Sequence, residues 1–256
     1  MELPSLFISH GSPDLATTPS PARSFLMGIG NQFEKPKAIL VISAHWTTKQ
    51  PQINSTERPQ TIHDFWGFPQ ELYQMEYPAN TSRTLTQSVA NLLKANEFEY
   101  EIIGDRGFDH GVWNPLMLMY PSAAIPIVQL SVQPRQDPSY HFRLGQALTP
   151  LRSQGILIIG SGSATHNLRE MGRYEYPPNW VTEFMDWLNE KVMNADLDAL
   201  FNYLNFAPYA KQNHPTPEHL LPLFVAMGAA GISLQPFHLH SSYTYDVLSM
   251  DAFAFN

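Results

Sequence analysis

Ten histidines occur in the 256-residue chain, and five of them stand where metal-binding or proton-transferring groups are placed. His10 follows the apolar run LFIS and His45 follows ILVISA. His166 ends ILIIGSGSATH, His110 lies in the Gly-flanked stretch DRGFDHGVW, and His219 closes HPTPEH just before a long apolar run. Neutral imidazole is the commonest nitrogen donor to zinc or iron, and imidazole is the side chain that titrates nearest neutral pH. The chemistry on offer is therefore metal binding combined with proton transfer. The chain contains no cysteine, which excludes a thiolate zinc site, a disulfide framework and a thiol nucleophile. Any metal must be held by His, Asp or Glu.

In open α/β sheets ligands bind beyond the carboxyl ends of the strands. His10 and His45 both fall at such ends, and neighbouring strands would bring their imidazoles to one ion. For a third donor, HPTPEH offers His214, Glu218 and His219. His219 is preferred, because the first turn of a helix starting at Pro217 disfavours imidazolium and keeps the ring neutral for a metal. Glu218 fits the same place simply as a favourable charge. His166 is open to ligation or to proton transfer. The cluster Asp105, Arg106 and Asp109 could raise the basicity of His110 through a neighbouring carboxylate. His63, Trp66 and Tyr243 are assigned to substrate contact. His141 is expected at the surface, His214 as structural support, and His238 and His240 alternate as strand residues do.

These residues must be positioned by an α/β framework. Short β-branched runs alternate with segments of helical period, which predicts a single domain spanning 1–256 with a central, mostly parallel sheet flanked by helices. Strands are expected at 6–9, 39–43, 100–103, 125–132 and 156–159. AILVIS and GILIIG, almost wholly apolar, read as central strands buried on both faces. Helices are expected at 22–33, 83–96, 142–153, 180–194, 198–204 and 217–230. The last would be capped by Thr216, entered through Pro217 and kinked at Pro222. Gly160 and Gly162 suggest a tight turn leading to His166. The proline-broken segment 51–78, with Phe65, Trp66, Phe68, Tyr73 and Tyr77, reads as a functional loop, lid or interface, so that monomer and homodimer are both open.

The net charge of -8 is spread without a basic run, which argues against a nucleic-acid surface and for a small ligand. No apolar run approaches the roughly 18 residues of a membrane span, and the N-terminus lacks a basic region ahead of an apolar stretch. No membrane partner is expected, and a cytoplasmic location is the default.

Six ordered segments, ISHGSP (8–13), ISAHW (42–46), TIHDFWGFP (61–69), DHGVWNPLMLMYP (109–121), GSGSATHNL (160–168) and HPTPEHLLPLFVAMGAAG (214–231), carry a further reading. Through them the chain resembles the class III extradiol ring-cleaving dioxygenases over nearly its full length. Within these it is most similar to the DOPA-dioxygenase-like branch that includes the plant betalain enzymes and bacterial relatives. The resemblance implies that His10, His45 and His219 hold the metal, that His166 is the acid/base histidine, and that His110 orients the substrate. It implies Fe(II)-dependent cleavage by O2 of L-DOPA, opening to 4,5-seco-DOPA, which cyclises to betalamic acid, or of a related para-substituted catechol. The protocatechuate-cleaving branch has a glutamate as third ligand where this chain has His219. An all-imidazole set also suits Zn(II), which purified protein could carry, and a zinc-dependent hydrolase using the same histidines is the alternative. After THNL this chain has REMGRYEYPPNW where the plant enzymes carry a different motif, which implies a broader catechol preference. Arg173, Tyr174 and Tyr176 could contact an amino-acid substituent, but a solvent-facing loop is the preferred reading of this segment.

Overall fold

The computed structural model describes residues 2–256. Its strands are β1 (Ser5–Ser9), β2 (Ala38–Thr47), β3 (Gln52–Asn54), β4 (Glu101–Ile103), β5 (Ile127–Val132), β6 (Ile156–Gly162), β7 (Pro236–His240), β8 (Tyr243–Thr244), β9 (Leu248–Ser249) and β10 (Ala252–Phe255). The α-helices are α1 (Pro21–Ile29), α2 (Arg83–Ala95), α3 (His110–Met119), α4 (Pro138–Leu148), α5 (Asn179–Met193), α6 (Leu197–Phe201), α7 (Tyr203–Phe206), α8 (Ala210–Asn213) and α9 (Leu221–Ala229). Eight strands form one sheet in the order β4-β3-β5-β2-β6-β1-β10-β7, while β8 and β9 pair apart from it. The inner run β5-β2-β6-β1 is parallel throughout. Antiparallel joins occur where β3 meets β5 and where β10 meets β1 and β7. The expected single α/β domain with a mostly parallel sheet is the architecture found.

The period of two along the inner strands explains the layering. Ile39 and Val41 face α1 and α3 together with Leu6, Ile8, Leu157 and Ile159. Leu40, Ile42 and Ile158 face α2, α4 and α9 on the other side. With helices on both faces there is no wet side, so a continuous apolar strand is the stable solution. α9 is buried along its whole length, and its approach to β6 depends on glycine. A Cβ on Gly160 would come within 2.2 Å of the Pro222 carbonyl, and one on Gly162 within 2.1 Å of the His219 carbonyl. Both glycines lie inside β6, so they do not make the turn expected from sequence; they let the segment carrying His219 lie against the strand.

Other expectations shift for physical reasons. α9 begins at Leu221, so Thr216 and Pro217 lie outside it. Pro222 sits in the first turn, where its missing N–H has no intrahelical partner and no kink is needed. The helix expected over 142–153 starts earlier, at Pro138 behind the Asp137 cap, and gives way to a 3-10 turn over Thr149–Gln154. α3 lies outside the expected helices; it contains Gly111 and Pro115, yet nine of its ten residues are buried, and packing overrides the weak propensity. His141 is fully buried within α4, contrary to the expected surface position. Tyr77 is also buried, so of the aromatics in 51–78 only Trp66, 86% exposed, is strongly open to solvent. No helix among the described residues is long and apolar enough to cross a membrane.

Candidate metal centre and active site

The carboxyl ends of β1, β2 and β6 adjoin one another in the middle of the sheet, and the histidines gather there. His10 is the first residue beyond β1, and its N–H donates to the Gly162 carbonyl at the end of β6 (2.9 Å). His45 lies inside the irregular end of β2, where the pairing with β5 shifts register between Ile42 and Thr47. His219 stands in the turn before α9, and its carbonyl accepts the N–H of Ser163 (2.9 Å). The Nε2 atoms of His10 and His45 are 3.0 Å apart, and those of His45 and His219 are 3.3 Å apart.

Hydrogen bonds on the far side of each ring decide which nitrogen holds the proton. His45 Nδ1 faces Asp64 Oδ2 at 3.2 Å, and His219 Nδ1 faces Glu218 Oε1 at 3.1 Å. A carboxylate can only accept, so both rings carry their proton on Nδ1. His10 Nδ1 lies 3.0 Å from Ser161 Oγ, whose own hydroxyl donates to the Gly111 carbonyl. Ser161 is therefore the acceptor and His10 is also protonated on Nδ1. That Gly111 carbonyl is available because Pro115, four residues on in α3, has no N–H to offer it. Three Nε2 lone pairs are thus turned toward one another with no proton between them. Cis donors around a metal at about 2.0–2.1 Å lie roughly 3.0–3.4 Å apart, which is the observed spacing. The donor set fits a divalent cation.

Burial is the main cause holding the His10 and His219 rings well below their ordinary pKa, and neighbouring imidazoles add to it. His45 is lowered to about 4 by burial and by His110, against the opposing pull of Asp109 and Asp64. His219 lies two residues before α9 and not in its first turn as expected, so the helix N-terminus is not the main cause. Desolvation and like-charge crowding do the work instead.

His110 is the first residue of α3. Its ring packs 3.9 Å from that of His45, centroid to centroid. Both its backbone N–H (3.0 Å) and its Nδ1 (2.9 Å) donate to Asp64 Oδ1. Asp64 thereby spans two histidines and the N-terminus of α3. Burial opposes its ionisation, but the bonds from His110 and the adjoining imidazoles hold the carboxyl well below the usual carboxylate range. The carboxylate beside His110 is Asp64, not Asp105 or Asp109 of the expected cluster. Asp109 is fully buried behind the site, accepting from Ser43 Oγ (2.6 Å), Arg106 Nη2 (2.8 Å) and Gln129. Asp64 was legible only as the residue next to His63 in IHDFWGFP; nothing local marks it as the one that turns inward.

The His166 ring stacks on that of His219 with centroids 3.3 Å apart and planes within 10°. Its backbone N–H donates to the Asn213 carbonyl (2.9 Å), and the loop before it is pinned by His214 Nε2 donating to the Ala164 carbonyl (2.9 Å). Burial first, then His214, His45 and His110, lower His166 to about 3. Two groups of side chains bring their donor atoms within 4.8 Å of one another, His10–His45–His110 and His166–Glu218–His219. His10, His45 and His219, with their Nδ1 atoms engaged and Nε2 spacings of 3.0 and 3.3 Å through His45, form a candidate set that draws on both groups.

A cavity of about 440 Å3 opens onto this cluster, walled by His10, His45, Asp64, His110 and His166 at its base and by Phe65, Trp66, Phe68, Leu168, Met171 and Leu248 outward. Its size is that of a small-molecule site. His219 lies behind the wall. Trp66 lines the cavity, whereas His63 and Tyr243 do not: His63 Nε2 donates to the Met75 carbonyl (3.0 Å) on another face, and Tyr243 lines a neighbouring hollow with Asp14 and Tyr245. Arg173 and Tyr174 are turned to Glu170.

A sequence profile of the family described as the catalytic LigB subunit of aromatic ring-opening dioxygenase matches residues 16–255. A Beta vulgaris protein named 4,5-DOPA dioxygenase extradiol is 44% identical over 98% of this chain and 96% of its own length. An Escherichia coli K12 protein of the same name is 38% identical over 89% of this chain and 85% of its own. The crystal structure of an uncharacterized protein from Escherichia coli K12 superposes with a TM-score of 0.83 at 30% identity, covering 99% of this chain and all of that one.

Proposed function

The chain belongs to the LigB family of aromatic ring-opening dioxygenases, and from that premise we propose Fe(II)-dependent extradiol cleavage of a para-substituted catechol, catalysed by one domain spanning 1–256. Cleavage of a catechol with O2 follows from the family, and the relatives' names make L-DOPA the first substrate to test, with 4,5-seco-DOPA and betalamic acid as products. The observation that carries the reading is the convergence of three proton-free Nε2 atoms beside a neutral, cavity-facing His166. His10, His45 and His219 are the proposed ligands. Zn(II) would also fit them, but family membership favours ring opening over hydrolysis. Bound Fe(II) would supply electron transfer between the catecholate and dioxygen, which their spin mismatch otherwise forbids.

The protein's own groups account for position and protons. With Nδ1–H committed to Asp64, His110 presents Nε2 as an acceptor for a catechol hydroxyl. His166 is neutral at pH 7, so an imidazole nitrogen can take the proton a catechol loses on binding. The resulting imidazolium sits in a site that disfavours it, so His166 returns the proton readily as oxygen is inserted and the ring opens. Three neutral ligands would leave a divalent ion its full charge, part of which a catechol that has passed one proton to His166 and donates the other hydroxyl to His110 would offset. Both atoms of O2 enter the product and no external reductant is needed.

Protein stripped of metal and reloaded without oxygen, with Fe(II) or with Zn(II), tests this directly. Oxygen uptake and a product bearing both atoms of labelled dioxygen are expected with Fe(II) and a catechol. Bound Fe(II) with no uptake from any catechol would rule the reading out.

A further inference from the structure

Resting on the ring-opening reading, which places the diol at the histidines, we propose that the site selects catechols whose substituent is uncharged and apolar, and that Trp66, Leu168 and Met171 make the selection. A catechol held by its two oxygens points the opposite ring edge outward, so its substituent lies along the outer wall. That wall is aromatic and aliphatic, and neither lysine nor arginine lines the cavity among the described residues. Its one carboxylate, Asp64, has both oxygens engaged by His45 and His110.

Two of the cations near the site residues in sequence are committed elsewhere. Arg106 pairs with buried Asp109 at 2.8 Å and Arg173 with Glu170 at 3.3 Å. Arg169, beside Leu168, is not part of the wall. Ser12 and Ser163 also line the cavity, but a carboxylate entering it gives up water and gains no cationic partner, which is costly. At the mouth the balance runs the other way. Trp66 is 86% exposed and Leu168 is 56% exposed, two large apolar side chains left in water at the rim of an otherwise buried site. An apolar substituent passing between them removes apolar area on both sides from water, and the gain is proportional to that area.

The experiment uses the full chain loaded with Fe(II) and compares kcat/KM for 4-propylcatechol, its carboxylate counterpart 3-(3,4-dihydroxyphenyl)propionate, L-DOPA and dopamine. The propyl compound is expected to lead the carboxylate and L-DOPA by about tenfold or more, mainly through KM, a difference worth about 1.4 kcal/mol per factor of ten. Leu168→Arg, at an exposed position that tolerates the change, should narrow or reverse the preference by favouring the carboxylate. Trp66→Ala should reduce the advantage of the propyl chain. Turnover with L-DOPA or the carboxylate ahead of 4-propylcatechol would overturn the inference and leave the ring-opening reading standing, and loss of that preference in Arg169→Ala would identify the cation overlooked. No turnover of any of the four would fail the reading itself and the inference with it.

Discussion

His141 and the histidines at the sheet's carboxyl edge are alike in burial and in depressed basicity, yet they serve different ends. His141 Nδ1 donates to the Asp137 carbonyl (2.9 Å), and its Nε2 accepts the N–H of Gln133 (3.2 Å). Both nitrogens are satisfied, and the ring ties α4 to the strand end before it. In His10, His45 and His219 only Nδ1 is satisfied, while Nε2 points at another Nε2. Burial and a lowered pKa therefore do not mark a site here. A single unpartnered nitrogen does not mark it either, since the Nδ1 of buried His214 also lacks a partner; what marks it is Nε2 atoms facing one another at 3.0 and 3.3 Å, an arrangement a metal ion would complete.

The sharpest way to break this contrast is to delete one ring from each region. His10→Ala or His219→Ala should abolish stoichiometric Fe(II) binding and lower turnover by at least about a hundredfold, measured as metal content and oxygen uptake. His141→Ala should keep metal and activity but lower unfolding stability by roughly 1–3 kcal/mol in denaturant titration. Metal loss in the His141 variant would erase the distinction. Next, His166→Ala should lose about 10²–10⁴-fold in turnover while retaining metal, because its ring does not belong to the converging set; normal turnover would remove it from the mechanism.

Asp64→Asn should weaken metal binding by about 10–100-fold, since one carboxylate orients both His45 and His110. An unchanged Kd for Fe(II) would leave it as a helix-end group only. Ser161→Ala tests the relay from Pro115 through Gly111 to His10, and a smaller loss in affinity is expected because one neutral hydrogen bond is removed.

The smallest effect is in pH dependence. Burial, against the opposing bond to Asp137, holds folded His141 at about 4, while the unfolded ring titrates near 6.5. Between those values the unfolded chain binds the proton and the folded one does not. Stability therefore falls as pH drops from about 6.5 to about 4, by up to about 1.4 kcal/mol per pH unit from this residue. His141→Gln should flatten the profile in that window, and an identical slope would exclude His141 as a contributor.

Much was legible in the amino-acid order because it rests on local pattern. The apolar runs AILVIS and GILIIG dictate doubly covered inner strands, and the alternation of such runs with helical segments dictates an α/β sheet. His10 and His166 follow two inner strands and His45 stands near the end of a third, so their gathering at one edge follows from topology. Apart from Glu218, which adjoins His219 in the chain, the ring-flanking partners were not legible, because they come from distant points in the sequence. Asp64 reaches His45 and His110 from an irregular loop, and Ser161 reaches His10 from β6. Pattern also misread positions where packing outweighs propensity, as with α3 across Gly111 and Pro115, the late start of α9, and the buried His141. The sequence by itself determined which side chains could bind a metal and which sheet would carry them. Only the tertiary structure decided which nitrogen of each imidazole keeps its proton, because that depends on how an acceptor is folded against the ring, from far along the chain for His10 and His45 and from the adjoining Glu218 for His219, and the direction of the free lone pairs follows from it.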